Sequence, residues 1–481
     1  MTAFVTAFLL ADWVYNSAVA LYVCLVAAII VVILSENRSP VKSLAWVTVL
    51  IAMPLFGVIL YIFFGRSLRN KRMISRANRR RLKRAERFRP VDINHQGLSE
   101  NSLQHVRLAR AIGGALFYPG NHVTVFTNGT SKFAAFERDL AAARQYINLQ
   151  YYIFEDDNIG TRIRDILIDR ARAGVKVRLI YDNVGSFNTS RRFFNEMTKA
   201  GIEVYPFFKV YFPPFGTRIN WRNHRKLCII DGEVGYIGGM NIADRYIDGG
   251  KDFESWRDTH LRVTGPVIGA LQYSFAVDWS FMGRPLISET IDNNDPEPDG
   301  IGMQMVTSGP TSTWSNVELM FLHCIASAKH RIYIQTPYFL PTDGLLKALQ
   351  TAALSNVDVR IMLPRRSDSR MLQLASNSYL TECLRSGIKF YFYTPGMLHS
   401  KSIIIDDDMA TVGSANFDFR SFEHNFEANM FIYSKDFNNR MAEIFLADMR
   451  HSIRVMPANW RRRPYILRIA ESAIRIFAPI L

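Results

Sequence analysis

Two long apolar runs open the chain, and the pattern alternates after them. Residues 13–34 are almost continuously apolar apart from Asn16 and Ser17, and residues 44–64 form a second, cleaner run. At about 1.5 Å of rise per residue, each suffices to cross roughly 30 Å of hydrocarbon. The pattern predicts a transmembrane helical hairpin over residues 1–65, in which Pro54 and Gly57 permit a kink. A buried hairpin in a soluble protein is the competing reading. A signal peptide fits poorly, because no basic stretch precedes the first run and no small-residue cleavage site follows it.

Further along, short β-branched and aromatic runs alternate with helical periodicity, as at residues 132–144 and 161–173 and again at 317–328 and 344–354. The order of these segments repeats. Residues 146–154 (YINLQYYIF) resemble 331–339 (RIYIQTPYF), and 175–181 (VKVRLIY) resemble 357–363 (VDVRIML). Residues 200–205 (AGIEVY) match 386–391 (SGIKFY), and 223–241 (NHRKLCIIDGEVGYIGGMN) match 398–416 (LHSKSIIIDDDMATVGSAN). An α/β fold follows, with two domains at 99–287 and 301–459 that share a cleft about a pseudo-two-fold axis. The acidic, Pro-bearing stretch 288–300 reads as a linker. The tail, 460–481, has Ile466, Ile469, Ala473, Ile476 and Phe477 at helical spacing beside several arginines. It predicts an amphipathic helix, lying in a membrane interface or docked on the body.

Charge adds an orientation. The chain carries a net charge of +15, and residues 66–89 hold twelve basic residues against the single acid Glu86. This basic juxtamembrane linker, 66–98, predicts that the body lies on the cytoplasmic side. The excess also asks for an anionic partner, an acidic membrane surface or nucleic acid. Cys24, Cys228, Cys324 and Cys383 are scattered without zinc spacing, so they read as apolar fillers, not metal ligands. The aromatic segment 206–215 (PFFKVYFPPF) is a candidate rim for an acyl-chain entrance or a loop that dips into a membrane.

Each repeat carries one chemical motif, His-x-Lys-x4-Asp, then Gly, a small residue and Asn. The copies are His224, Lys226, Asp231, Gly238, Gly239, Asn241 and His399, Lys401, Asp406, Gly413, Ser414, Asn416. Residues two apart on a strand point to one face, so each motif aims an imidazole and an ammonium at one spot. Two copies surround one anionic centre, which suits a phosphodiester. One neutral histidine attacks phosphorus, the other protonates the leaving alkoxide, and Lys226 and Lys401 balance the non-bridging oxygens. Asn241 and Asn416 are candidate phosphate-binding donors. Asp231 and Asp406 complete the candidate catalytic set, although their place at strand ends points to turns rather than substrate. The attacking imidazole needs an acceptor on its other nitrogen. Asp258 and Glu427 are the candidates, following His224 by 34 and His399 by 28 residues.

These motifs resemble the signature of the phospholipase D superfamily. The resemblance implies a bilobal α-β-α sandwich, metal-independent and cofactor-free chemistry, and a phosphatidyl-histidine intermediate with His224 as nucleophile and His399 as acid–base. The ENRSP connector, with LAWV opening the second apolar run and FGR closing it, is similar to bacterial cardiolipin synthases. That similarity implies an inner-membrane phosphatidyltransferase, with phosphatidylglycerol and anionic lipids as partners. The rivals are a phosphatidyltransferase using phosphatidylethanolamine or an alcohol, a hydrolytic phospholipase D, a nuclease, and a scaffold without activity. The membrane segments and the lack of base-stacking motifs argue against nucleic acid.

Overall fold

The computed structural model describes residues 2–35, 40–53, 56–61, 80, 97–208, 221–287, 296–297 and 299–478. The basic run 66–89 (apart from residue 80), residues 209–215 of the aromatic segment, most of the 288–300 linker and residues 479–481 lie outside them.

The N-terminal segment forms helices Thr2–Ser35, Pro40–Ala52 and Phe56–Leu60. Within the first, Trp13–Ser35 has a mean hydropathy of 3.0 and is long and apolar enough to cross a membrane. Only part of the second apolar run lies among the described residues. Its described residues include the helical stretches Pro40–Ala52 and Phe56–Leu60. The pieces pack on the first helix through Ile33, Leu50, Val58 and Tyr61, and the Tyr22 hydroxyl donates to the Leu50 carbonyl at 3.2 Å.

The body is a separate unit. Its first half carries β1 (Tyr118–Phe126), β2 (Tyr146–Tyr151), β3 (Lys176–Asp182), β4 (Glu203–Phe207), β5 (Arg222–Asn223), β6 (Leu227–Ile230), β7 (Val234–Gly238), β8 (Trp256–Arg257) and β9 (His260–Thr264). The second half carries β10 (Ile301–Ser308), β11 (Arg331–Gln335), β12 (Phe339–Leu340), β13 (Asp358–Pro364), β14 (Lys389–Tyr393), β15 (Met397–Leu398), β16 (Ser402–Ile405), β17 (Met409–Gly413), β18 (Phe417–Asp418), β19 (Asn425–Tyr433) and β20 (Ser452–Arg454).

One sheet runs through both halves, in the order β20-β14-β13-β11-β16-β17-β19-β10-β1-β9-β7-β6-β2-β3-β4. Outside β20 the order is palindromic about the antiparallel β1–β10 pair, which makes the repeat in the sequence a pseudo-dyad in the fold. In each half the parallel strands are joined through crossover helices such as Asn158–Arg172 and Asp343–Leu354, and the antiparallel strands that follow the histidine return beside them. Helices cover the sheet, so β2 is buried along its whole length. Phe136, Leu149, Phe154 and Leu167 centre one core, and Phe321, Ile334, Phe339 and Ile361 the other.

The tail helix, Tyr465–Arg475, docks and still shows an apolar edge. Arg475 bridges to Glu382 at 2.7 Å and lies 3.9 Å from the Tyr379 ring, while Arg463 binds the buried Glu471 at 2.6 Å. Tyr465, Ile466, Ile469, Ile476 and Phe477 stay exposed. Of the aromatic segment, the described Phe207 and Phe208 pack with Trp221, Phe281 and Phe426.

Candidate active site

Each motif histidine sits just past a two-residue strand, and that strand pairs with the opposite half. β5 runs parallel to β19, with Arg222 opposite Asn425 and Asn223 opposite Phe426. One step further along the same register, His224 meets Glu427. β15 runs parallel to β8, with Leu398 opposite Arg257, so the next step brings His399 to Asp258. The backbone continues both ladders: His224 N–H donates to the Phe426 carbonyl at 2.9 Å, and His399 N–H to the Arg257 carbonyl at 2.7 Å.

The carboxylate partners are therefore crossed. His224 Nδ1 lies 3.0 Å from Glu427, and His399 Nδ1 lies 2.7 Å from Asp258. Counting along each repeat associates Asp258 with His224 and Glu427 with His399. The fold pairs them the other way, because the sheet register that delivers each acid runs between halves. A carboxylate accepts only, so Nδ1 carries a proton in each ring, and in the neutral imidazole the lone pair is on Nε2. Neither Nε2 has a hydrogen-bond partner among the described residues.

The two halves differ in how each acid is held. Glu427 also accepts from Ser414 Oγ and from Asn425 Nδ2, the latter at 3.1 Å. At the equivalent of Ser414 stands Gly239, where a Cβ would come within 2.1 Å of Asp258 Oδ1.

Lys226 and Lys401 are buried, and each ammonium donates to the carbonyl of its own histidine, Lys226 at 2.7 Å. Lys401 Nζ also stands 2.8 Å from His399 Nδ1. We assign the Nδ1 proton to Asp258, because its carboxylate can only accept. The two motifs share one field: Lys401 of the second acts on His224 of the first, and on Lys226. Burial lowers His224 to about 4, with Glu427 opposing and both lysines reinforcing the shift. Burial likewise lowers His399 and takes Lys401 to about 8. Burial raises Asp258 and Glu427, yet the lysine and histidine beside each outweigh it and hold both below their usual range.

Asp231 and Asp406 are elsewhere. Asp231 accepts the N–H groups of Arg144, Gln145 and Tyr146 at 2.7–2.8 Å, and Asp406 those of Lys329, His330 and Arg331 at the same distances. Both have left-handed backbone, φ 54° and 46°. They tie the far ends of β6 and β16 to the starts of β2 and β11, which removes them from the reacting group of residues. Asp231→Ala is expected to cost about 2–4 kcal/mol of stability through lost charged hydrogen bonds and αL strain. Thermal unfolding and specific activity of the folded fraction check this. A loss of specific activity at unchanged stability would return Asp231 to the catalytic set.

The asparagines are partly engaged. Asn241 accepts from Ile153 N–H at 3.1 Å and donates to the Tyr246 hydroxyl, whose ring lies 6.0 Å from that of His399. Asn416 keeps a buried Oδ1 without a partner.

Sequence reasoning missed two arginine clamps. Arg225 donates to the Glu427 carbonyl at 3.2 Å and bonds Asp278 at 2.7 Å, and Gln150 donates to the same carboxylate oxygen at 2.6 Å. Arg257 donates to the Asp258 carbonyl at 2.8 Å and bonds Asp448 at 2.9 Å, with Gln335 donating to that oxygen at 2.7 Å. Each clamp thus grips the backbone of the strand that presents an acid to a histidine. The signal was in the repeat: Gln150 and Gln335 match, as do FAVD at 275–278 and FLAD at 445–448.

A family model described as "Cardiolipin synthase, PLD-like domain" matches residues 136–260 and 321–449, and one described as "Phospholipase_D-nuclease N-terminal" matches residues 23–66. The chain is 39% identical over 460 residues to cardiolipin synthase 2 of Bacillus cereus, covering 94% of this chain and 89% of that one. It is 39% identical over 464 residues to the major cardiolipin synthase of Bacillus subtilis, covering 94% and 96%. Among solved structures, the phosphatidylserine synthase of Haemophilus influenzae superimposes with a TM-score of 0.61 at 12% identity, over 79% of this chain and 100% of that one, a likeness of fold.

Proposed function

This chain belongs to the cardiolipin synthase family of the phospholipase D superfamily, and we propose on that premise that it joins two phosphatidylglycerol molecules into cardiolipin with release of glycerol. The observation that carries the reading is the pair of imidazoles whose Nδ1 atoms are bound to buried carboxylates, with both Nε2 atoms left available. In the first step His224 Nε2 attacks the donor phosphorus. The bond from phosphorus to the glycerol oxygen breaks, and His399, which enters this step as an imidazolium protonated on Nε2 as well as on Nδ1 beside Asp258, gives that oxygen its Nε2 proton. In the second step the head-group hydroxyl of another phosphatidylglycerol passes its proton to His399 and attacks the phosphatidyl-histidine. The new P–O bond forms as the P–N bond to His224 breaks. Lys226 and Lys401 stabilise the non-bridging oxygens throughout, and low polarity around them strengthens that attraction. Asn241 and Asn416 contribute amide N–H donors near the same phosphate.

The chain works at a membrane. The apolar Trp13–Ser35 helix anchors it, the second apolar run returns the chain, and the positive bias of residues 66–89 favours a cytoplasmic body. The exposed apolar edge of the tail helix supports contact with the same leaflet. Purified protein in vesicles of labelled phosphatidylglycerol alone is expected to form cardiolipin and glycerol in equal amounts. Phosphatidic acid in their place would identify water as the acceptor and remove the transferase reading.

A further inference from the structure

Two residues before His224 stands a buried charge with no hydrogen bond to neutralise it. Arg222 is 2% exposed, and neither Nη1 nor Nη2 has a hydrogen-bond partner among the described residues. The carboxylate that faces it, Asp182, is 3.7 Å from Nη1, beyond hydrogen-bond reach. Asp182 is already satisfied: it accepts the N–H groups of Val184, Gly185 and Asn223 at 2.9, 3.0 and 2.9 Å. A guanidinium held out of water without its hydrogen bonds is costly, and its planar fork matches a phosphate.

Tyr152 connects this charge to the reaction centre. Its ring meets the His224 ring edge-to-face at 5.0 Å and lies 5.4 Å from Lys226 Nζ. Burial raises the Tyr152 hydroxyl while Arg222 and Arg420 both oppose that rise, and Arg420 lowers Arg222. Arg420 is only half-buried, which leaves this side open to a ligand. Its counterpart in the repeat, Arg245, is bound to Glu155 at 3.1 Å, whereas Arg420 makes no ion pair among the described residues. The counterpart of Arg222 is Met397. The arginine pair therefore belongs to the His224 side alone.

We propose that Arg222 and Arg420 form a second phosphodiester subsite, which holds the phosphate of the acceptor lipid while its head-group hydroxyl attacks the phosphatidyl group on His224. The assignment rests on the transfer reading above. Lys226 and Lys401 serve the phosphorus that reacts, and a phospholipid acceptor brings a second negative charge that needs its own cations. Glycerol and water bring none, so the subsite selects a phospholipid over either.

The test uses the whole protein in phosphatidylglycerol vesicles containing labelled free glycerol. One phosphatidyl-enzyme then partitions between cardiolipin and label exchanged into phosphatidylglycerol, and the ratio of the two is independent of how much enzyme is folded. Arg222→Gln is expected to lower the ratio of cardiolipin to exchange by about tenfold or more, with Arg222→Lys recovering part of it. Loss of both products in proportion would assign Arg222 to the donor or to the fold and overturn the proposal, and so would an unchanged ratio at full activity. If Arg222→Gln does not fold, Arg420→Gln, at a half-exposed position, must lower the ratio, and an unchanged ratio there overturns the proposal equally. A wild-type protein that makes no cardiolipin would instead overturn the transfer reading itself, and the subsite with it.

Discussion

Alanine at His224 is expected to lower cardiolipin formation to about 10⁻⁴ of wild type or less, because no other group can form the covalent intermediate. Alanine at His399 is expected to cost about 10²–10⁴-fold, the range of a general acid–base. Natural phosphatidylglycerol reports both as inactive, so an activated donor separates them. With a phosphatidyl ester of p-nitrophenol the leaving group departs without a proton. The His399→Ala enzyme is then expected to release one nitrophenolate per folded molecule and to retain the phosphatidyl group on His224. The His224→Ala enzyme releases none. The opposite pattern would exchange the two roles, and bursts from both would remove the two-histidine scheme. Circular dichroism in detergent establishes that both variants are folded.

The second large effect comes from a residue 203 positions away from the histidine it serves. Glu427→Gln is expected to lower turnover by about 10³–10⁴-fold, comparable to neutralising the carboxylate of a Ser-His-Asp triad. The amide can donate to Nδ1, which places the proton on Nε2 and removes the attacking lone pair. Burial holds wild-type His224 at about 4, so the nucleophile is neutral above that pH and the acid limb of kcat/KM lies near 4. The carboxylate favours the imidazolium, hence its loss moves that limb lower still. A Glu427→Gln enzyme with near-normal turnover, or with an acid limb moved upward, would count against the crossed pairing. The same logic fixes the sign for stability. His224 has a lower pKa folded than unfolded, so the unfolded chain binds the extra proton and stability falls as pH drops from about 6.5 to about 4.

The repeat, the alternation of strand and helix and the two His-x-Lys pairs were all legible in the sequence. Their signals are local. A strand shows as a short β-branched run, and residues two apart on it share a face whatever surrounds them. The apolar stretch 13–34 is equally local, since length and composition alone make a helix long and apolar enough to cross a membrane. Even the arginine clamps left a trace, in the matched Gln150 and Gln335 and the matched Asp278 and Asp448.

Only the tertiary structure decided which acid serves which histidine. Asp258 and His399 are 141 residues apart, and their meeting depends on β8 pairing with β15 across the pseudo-dyad. Nothing in the spacing of either repeat encodes that register. Tertiary structure also took Asp231 and Asp406 out of the reacting group, because the x4 that follows each lysine carries the chain along a whole strand to its far end. It left Arg222 buried without a hydrogen bond, although its neighbours in the chain look no different from those of any strand residue. Spacing along a chain reports the neighbours that one strand or helix provides. Partners drawn from two halves are set by how the sheets register against each other, and there the chemistry of this site was decided.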